Sequence, residues 1–252
     1  MNKKIIRLLF VAMLFSIILS IAAGAVETDN IFPSISVNIG GEDNGGSSSL
    51  QILFLITILS LLPSILIMMT SFTRIIIVLS FIRNALGLQQ TPPNQILVGL
   101  ALLLSLFIMS PVINEINENA YSPYVNGEIT QKAALEKAVV PIRSFMLKQT
   151  KNEEMKLFLS LSKDQLVQSI DDVKFNVVIA AFITSEMKRA FTIGFLIFIP
   201  FLIIDMVVAS VLMSMGMMML PPVMISLPFK VMLFVLVDGW GLIIKTLVLS
   251  FH

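Results

Sequence analysis

The sequence predicts an all-α membrane protein built from long helical hairpins, with about four apolar helices and one amphipathic helical external region. Three observations predict it. Apolar stretches at 50–81, 95–111, 190–220 and 224–251 approach or exceed the roughly 20 residues that a spanning helix needs. Hydrophobic residues make up 56% of the chain and charged residues 13%, with mean hydropathy +0.93. A soluble domain of this size could not hide so much apolar surface. Finally, Pro92-Pro93 and Pro221-Pro222 fall between the stretches pairwise, where a chain that cannot continue a helix must reverse.

At the N-terminus, Lys3, Lys4 and Arg7 precede an apolar run at 8–22, and Ala23-Gly24-Ala25 supplies a small-x-small pattern. This predicts a signal peptide over 1–25, cleaved after Ala25. Residues 26–49, with Gly40-Gly41 and Gly45-Gly46-Ser47-Ser48-Ser49, read as a flexible Gly/Ser-rich arm. The first apolar hairpin is expected over 50–114. Its first helix is broken by Pro63, a tight turn follows at Thr91-Pro92-Pro93-Asn94, and its second helix ends at Pro111 before the polar Asn114 and Glu115. Residues 115–189 hold nearly balanced charges and mixed helical periodicity, which predicts an external region of two or three amphipathic helices. The second apolar hairpin spans 190–252 and has a methionine-rich tip. Its two arms, roughly 42–46 Å long as helices, exceed the roughly 30 Å hydrocarbon core, so part of the hairpin is expected to lie outside lipid.

The signal peptide would place residue 26 outside and the turn at 82–95 in the cytoplasm. Arg74 and Arg83, with no acid nearby, then serve as cytoplasmic-side basic residues. Lys188-Arg189, at the external end of the third stretch, runs against that rule.

Asp205, Lys230, Asp238 and Lys245 interrupt the last two apolar stretches. Ionisable groups at bilayer depth cost at least a few kcal/mol and face protein or a wet path. On one continuous helix, Lys230, Asp238 and Lys245 fall within about 80° of one another, forming a polar stripe. Such charges either pair with neighbouring helices and fix register or line a channel or proton path. Glu186 is the acid expected to meet a lysine from another helix.

The run Met213-Ser214-Met215-Gly216-Met217-Met218-Met219-Leu220 stands directly before the proline pair. Unbranched, polarizable methionine deforms around varied shapes and still closes a gap. At a hairpin tip it could form a flexible apolar collar, provided several copies surround a pore.

Enzyme chemistry has little support. The one histidine is His252 and there is no cysteine, so a histidine triad, a thiolate metal site and a disulfide framework are excluded. No glycine-rich phosphate loop appears, Asp205 and Asp238 lack a supporting motif for paired-carboxylate catalysis, and no cofactor is called for. A net charge of +1 argues against nucleic acid as a partner.

The strings from Phe72 to Gly87, Gln89-Gln90-Thr91-Pro92-Pro93-Asn94-Gln95, Thr184-Ser185-Glu186-Met187-Lys188, Asp205-Met206-Val207-Val208-Ala209-Ser210, Leu227-Pro228-Phe229-Lys230 and Val237-Asp238-Gly239-Trp240 resemble the FliP family. The likeness covers 70–113 and 180–242, with a weaker part at 140–160. It implies an inner-membrane, multi-pass subunit of a flagellar type III export apparatus (virulence systems in relatives), whose assembly projects to the periplasmic side. The resemblance also implies a homo-oligomer of several copies, about five, joined by FliQ and FliR type subunits near FlhA and FlhB type components. Unfolded flagellar proteins would pass through its centre. It makes Met217, Met218 and Met219 a pore collar, Phe145 and Phe158 pore-facing aromatics, and Glu186 and Lys230 charges that pair between subunits. The arm at 26–49 carries no matching signature. Two other readings stand beside this one. A small-solute transporter or ion channel would use Asp205 and Asp238 as intramembrane ion sites, although no inverted repeat is evident. A scaffold would nucleate assembly without lining the path.

Overall fold

A computed structural model describes residues 45–162, 173–217 and 219–251; the expected signal peptide and the arm up to residue 44 lie outside them. Every regular element among the described residues is helical. Helix α1 (Gly45–Met68) is apolar on all sides and contains Pro63 without breaking. A proline in a lipid-facing helix loses one backbone bond, which neighbouring hydroxyls and small adjustments can absorb. The break comes later, between Met68 and Phe72, where the chain bends by 71° into α2 (Phe72–Ala85). A relay of hydroxyls fixes the corner. Ser71 Oγ donates to Ser105 Oγ (3.1 Å), Ser105 Oγ to Thr70 Oγ1 (3.2 Å), and Thr70 Oγ1 to the Ile67 carbonyl (2.7 Å). Short hydroxyl side chains that bond local backbone compete with the helix ladder, and here they end it.

Helix α2 buries Ile75, Val78, Leu79, Ile82 and Ala85 on one face, the spacing of a helix packed into a core. It ends on Gly87, whose φ of 77° lets the Leu88 N–H reach the Arg83 carbonyl (3.2 Å) and the Gly87 N–H the Asn84 carbonyl (3.0 Å). This is a Schellman cap. The Thr91–Pro92 bond is cis, and the expected turn leads into α3 (Asn94–Ile116).

Contrary to expectation, α3 does not stop at Pro111. It runs through that residue into a π-helical turn (Asn117–Tyr121) and a short α4 (Ser122–Val125). Asn114 and Glu115 are exposed, so their polarity never required the helix to end. The amphipathic region then folds as α5 (Gln131–Gln149), capped by Thr130 Oγ1 accepting from the Ala133 N–H, and α6 (Asn152–Leu161).

Helix α7 (Phe175–Ser214) is 40 residues long, about 60 Å at 1.5 Å per residue. The expected boundary at 189/190 therefore falls inside a helix: α7 carries both the external packing face and the third apolar stretch. Its contacts with α2 are the most extensive between any two elements. Gly194 permits them, because a Cβ there would lie 2.5 Å from Phe81 Cγ.

Past the Pro221 turn, α8 (Pro222–Leu236) and α9 (Gly239–Leu249) meet at a bend of 63°. Asp238, at φ 49°, makes the corner, and Gly239 allows it, since a Cβ at that position would meet Phe234 Cε2 at 2.3 Å.

Two apolar clusters result. One joins α2, α3, α7, α8 and α9 around Val78, Leu79 and Leu247; the other joins α5, α6 and α7 around Met146 and Phe182. Among the described residues, two continuous helical stretches, Asn94–Val125 and Phe175–Ser214, are long and apolar enough to cross a membrane, and there are four if each bent pair counts as one span.

Candidate functional site: two buried ion pairs and a methionine-bearing turn

The helix contacts place two charge pairs inside the apolar body. Arg74 on α2 and Glu186 on α7 are both fully shielded from solvent. Arg74 Nε donates to Glu186 Oε2 at 2.8 Å and Nη2 donates to Glu186 Oε1. Nη1 donates to the Ser250 carbonyl (2.9 Å) and hydroxyl (2.8 Å), and Nη2 also to Gln149 Oε1 (3.1 Å). All five guanidinium N–H groups are thus used, the condition under which a charge can be buried. The Phe251 ring lies 3.6 Å from the guanidinium carbon, a cation–π contact.

One residue therefore ties α2 to the end of α5, the first third of α7 and the C-terminal segment. Gln149 strengthens the knot by donating to the Phe251 carbonyl (2.9 Å) and accepting from Arg189 (3.1 Å).

This differs from the expected pairing. Within the chain Glu186 meets an arginine rather than a lysine, and Arg74 is fully buried. Arg74 was legible, since a lone arginine inside an apolar helix is costly unless paired; reading it as a topology signal concealed that cost. Arg83 is also more than a loop charge. It closes the turn after α2 by donating to Asn94 Oδ1 (2.6 Å) and the Pro92 carbonyl (3.3 Å).

Lys230 on α8 is 2% exposed and its Nζ lies 2.6 Å from Asp205 Oδ2 on α7. Ser226, one helical turn before Lys230, donates its hydroxyl to Asp205 Oδ1. The pair locks the two arms of the second hairpin within one chain. Asp238 and Lys245 take no part, and no ion pair involves either among the described residues. The expected stripe of Lys230, Asp238 and Lys245 assumed one straight helix. The corner at Asp238 removes that premise and leaves both Asp238 and Lys245 exposed.

A third, outer charge group was not foreseen. Lys188 bonds Glu153 (3.1 Å) and Glu154 (2.9 Å), holding α6 against α7. The Lys188 ammonium holds the Glu154 carboxyl below its usual range.

The methionine run lies at the α7–α8 reversal. Gly216, at φ 76°, ends α7 with the Met217 N–H on the Leu212 carbonyl (3.0 Å) and the Gly216 N–H on the Met213 carbonyl (3.0 Å), another Schellman cap. The side chains around it are bare: Met213, Met215, Met217 and Met219 are 62%, 65%, 45% and 98% exposed. Met218 lies outside the described residues.

The chain matches the FliP family over 55–247. It is 54% identical over 225 residues to the flagellar biosynthetic protein FliP of Bacillus subtilis, covering 89% of this chain and 99% of that protein. Its identity to the protein of the same name from Pectobacterium carotovorum is 55% over 212 residues, 83% and 82% of the two chains. For Aquifex aeolicus the figure is 47% over 237 residues, 93% and 98%. The chain belongs to the FliP family.

Within this FliP-family subunit, the two phenylalanines expected to face a pore are half-buried against its own core. Phe145 stacks on Phe251 (6.3 Å between centroids) and meets Phe182 edge-on (6.0 Å). Phe158 packs against the cluster around Met146 and Phe182. Met213 and Met215 share the exposure of the later methionines, which the family likeness did not single out. Their place on the last turn of α7, beside a capping glycine, was the available signal.

Proposed function

We propose that this chain is a wall subunit of the flagellar protein export gate in the bacterial inner membrane. Several copies, with FliQ and FliR type subunits and near FlhA and FlhB type components, surround a path for unfolded flagellar proteins. The methionine tip forms the deformable collar of that path. The observation that carries this reading is the pairing of a bare thioether tip with a rigid stem. Four exposed methionines crown a hairpin whose arms are locked by Asp205, Lys230 and Ser226. A soft apolar seal on a fixed mount can yield to unrelated sequences and still exclude ions.

The remaining surface fits an assembled membrane subunit. Large apolar side chains are exposed along α1, α3 and α7, among them Phe54, Phe107 and Phe195 at 65–68%, far beyond what a soluble monomer shows. The small-solute reading loses its main support, because Asp205 is already committed to Lys230 and Ser226.

The test is crosslinking from position 219 to an export substrate stalled by a folded fusion. The proposal predicts adducts at 219 and none at the mid-helix position 203. Adducts at neither position would favour a scaffold away from the path.

A further inference from the structure

The two arginines of α2 are treated differently. Arg74 has every N–H bonded, whereas Arg83 uses only Nη1, on Pro92 and Asn94. Its Nε is buried without a partner, and Nη2 makes no hydrogen bond among the described residues. Arg83 lies on the wall of a cavity of about 330 Å³ between the end of α2, the proline turn and the α8–α9 corner. Leu88, Pro92, Val231, Val235 and Trp240 are among the residues that line the rest. Trp240 stands edge-on to Phe234 at 5.5 Å, and its indole N–H also has no acceptor among the described residues. Asp238 is the nearest acid in sequence, but it is not part of the lining, and its carboxylate is turned to Gly241, where a Cβ would lie 2.4 Å from Oδ2.

The cavity is therefore lined mostly by aliphatic and aromatic groups, with one arginine that keeps unused donors and with no carboxylate at its wall. Its occupant must bring anionic acceptors together with an apolar body. The elements around it belong to the bent apolar pairs that can cross a membrane. Arg83 stands at the end of one of these pairs, where a basic residue characterises the headgroup level of a bilayer, and Trp240 stands at the bend of the other.

We propose that this cavity binds an anionic phospholipid. The phosphodiester accepts from Arg83 Nη2 and the Trp240 indole, and an acyl chain lies along Val231, Val235 and Leu88. A bound lipid would bridge the α2–α3 turn and the α8–α9 corner, which both line the cavity. The same groups select against a zwitterionic headgroup, whose ammonium would stand near a guanidinium with no carboxylate to receive it.

Trp240 is the only tryptophan in the chain, which supplies the probe. The intact complex is reconstituted in bilayers containing phosphatidylglycerol or phosphatidylcholine with brominated acyl chains, which quench nearby indoles. The Trp240 signal is the difference between the native complex and one carrying Trp240→Phe. The expected result is about fivefold tighter apparent binding of brominated phosphatidylglycerol, falling to no preference in Arg83→Gln. Val235→Phe fills the cavity from an exposed position, leaves the Arg83 turn intact and is expected to abolish the preference too, so it decides the matter if Arg83→Gln does not assemble. Equal quenching by both lipids would overturn the proposal by showing apolar packing alone. So would absence of quenching by either, which would mean that a neighbouring subunit fills the cavity, or a preference that survives in the variants.

Discussion

Arg74 and Glu186 form a two-point ion pair from which water is excluded on both sides. Charges so buried gain little over apolar residues but cost much when one loses its partner. Glu186→Gln and Arg74→Met are each expected to destabilise the subunit by about 3–5 kcal/mol. The check is complex yield and thermal stability in detergent, with Arg74→Met/Glu186→Met recovering part of the loss. Single variants that assemble and melt like the native protein would contradict the structure.

The Asp205–Lys230 pair makes a separate claim, since it sits in the hairpin stem. Lys230→Met leaves a partly buried carboxylate with only Ser226, and Ser226→Ala removes one hydrogen bond worth about 1 kcal/mol. The lysine change should therefore loosen the tip far more than the serine change. Spin labels at 215 and 224 report it as a broadened distance distribution; equal, unbroadened distributions in both would refute the lock.

Gly194 sets how closely α2 and α7 approach. Gly194→Ala puts a methyl 2.5 Å from Phe81 Cγ and should destabilise by about 1–3 kcal/mol. Phe81→Ala in the same chain should relieve the clash, so a double variant less stable than the sum of the single changes would count against this contact.

Glu154 gives a pH dependence. Its carboxyl is held low by Lys188, so its contribution is complete above the ordinary glutamate value of 4.5. The contribution disappears as pH falls through the lowered value. The lysine is half-exposed, so the effect is small. Hydrogen exchange over 152–161, corrected for intrinsic pH dependence, should show α6 loosening below pH 4.5 in the native protein and no such step in Glu154→Gln.

The parts of this fold set by local chemistry were readable in advance. Apolar stretches and double-proline reversals located the hairpins, and the methionines beside Gly216 located the tip. The prolines at 63 and 111 misled, because a proline only weakens a helix, whereas the real corners needed distant partners. Ser71, at the corner before α2, bonds Ser105 on α3, and the corner at Asp238 sets Gly239 against the Phe234 ring. The exact partners in the ion pairs needed the same long-range information. Glu186 and Lys230 were recognised as buried charges, but their partners 112 and 25 residues away depend on how α7 lies across α2 and α8.

The most direct test of the export-gate reading is membrane conductance with Met217, Met218 and Met219 changed together to Ala. If the methionine tip seals a polypeptide path, cells carrying the variant complex will leak small ions while the complex still assembles. An assembled variant complex with native conductance and native export would contradict the collar.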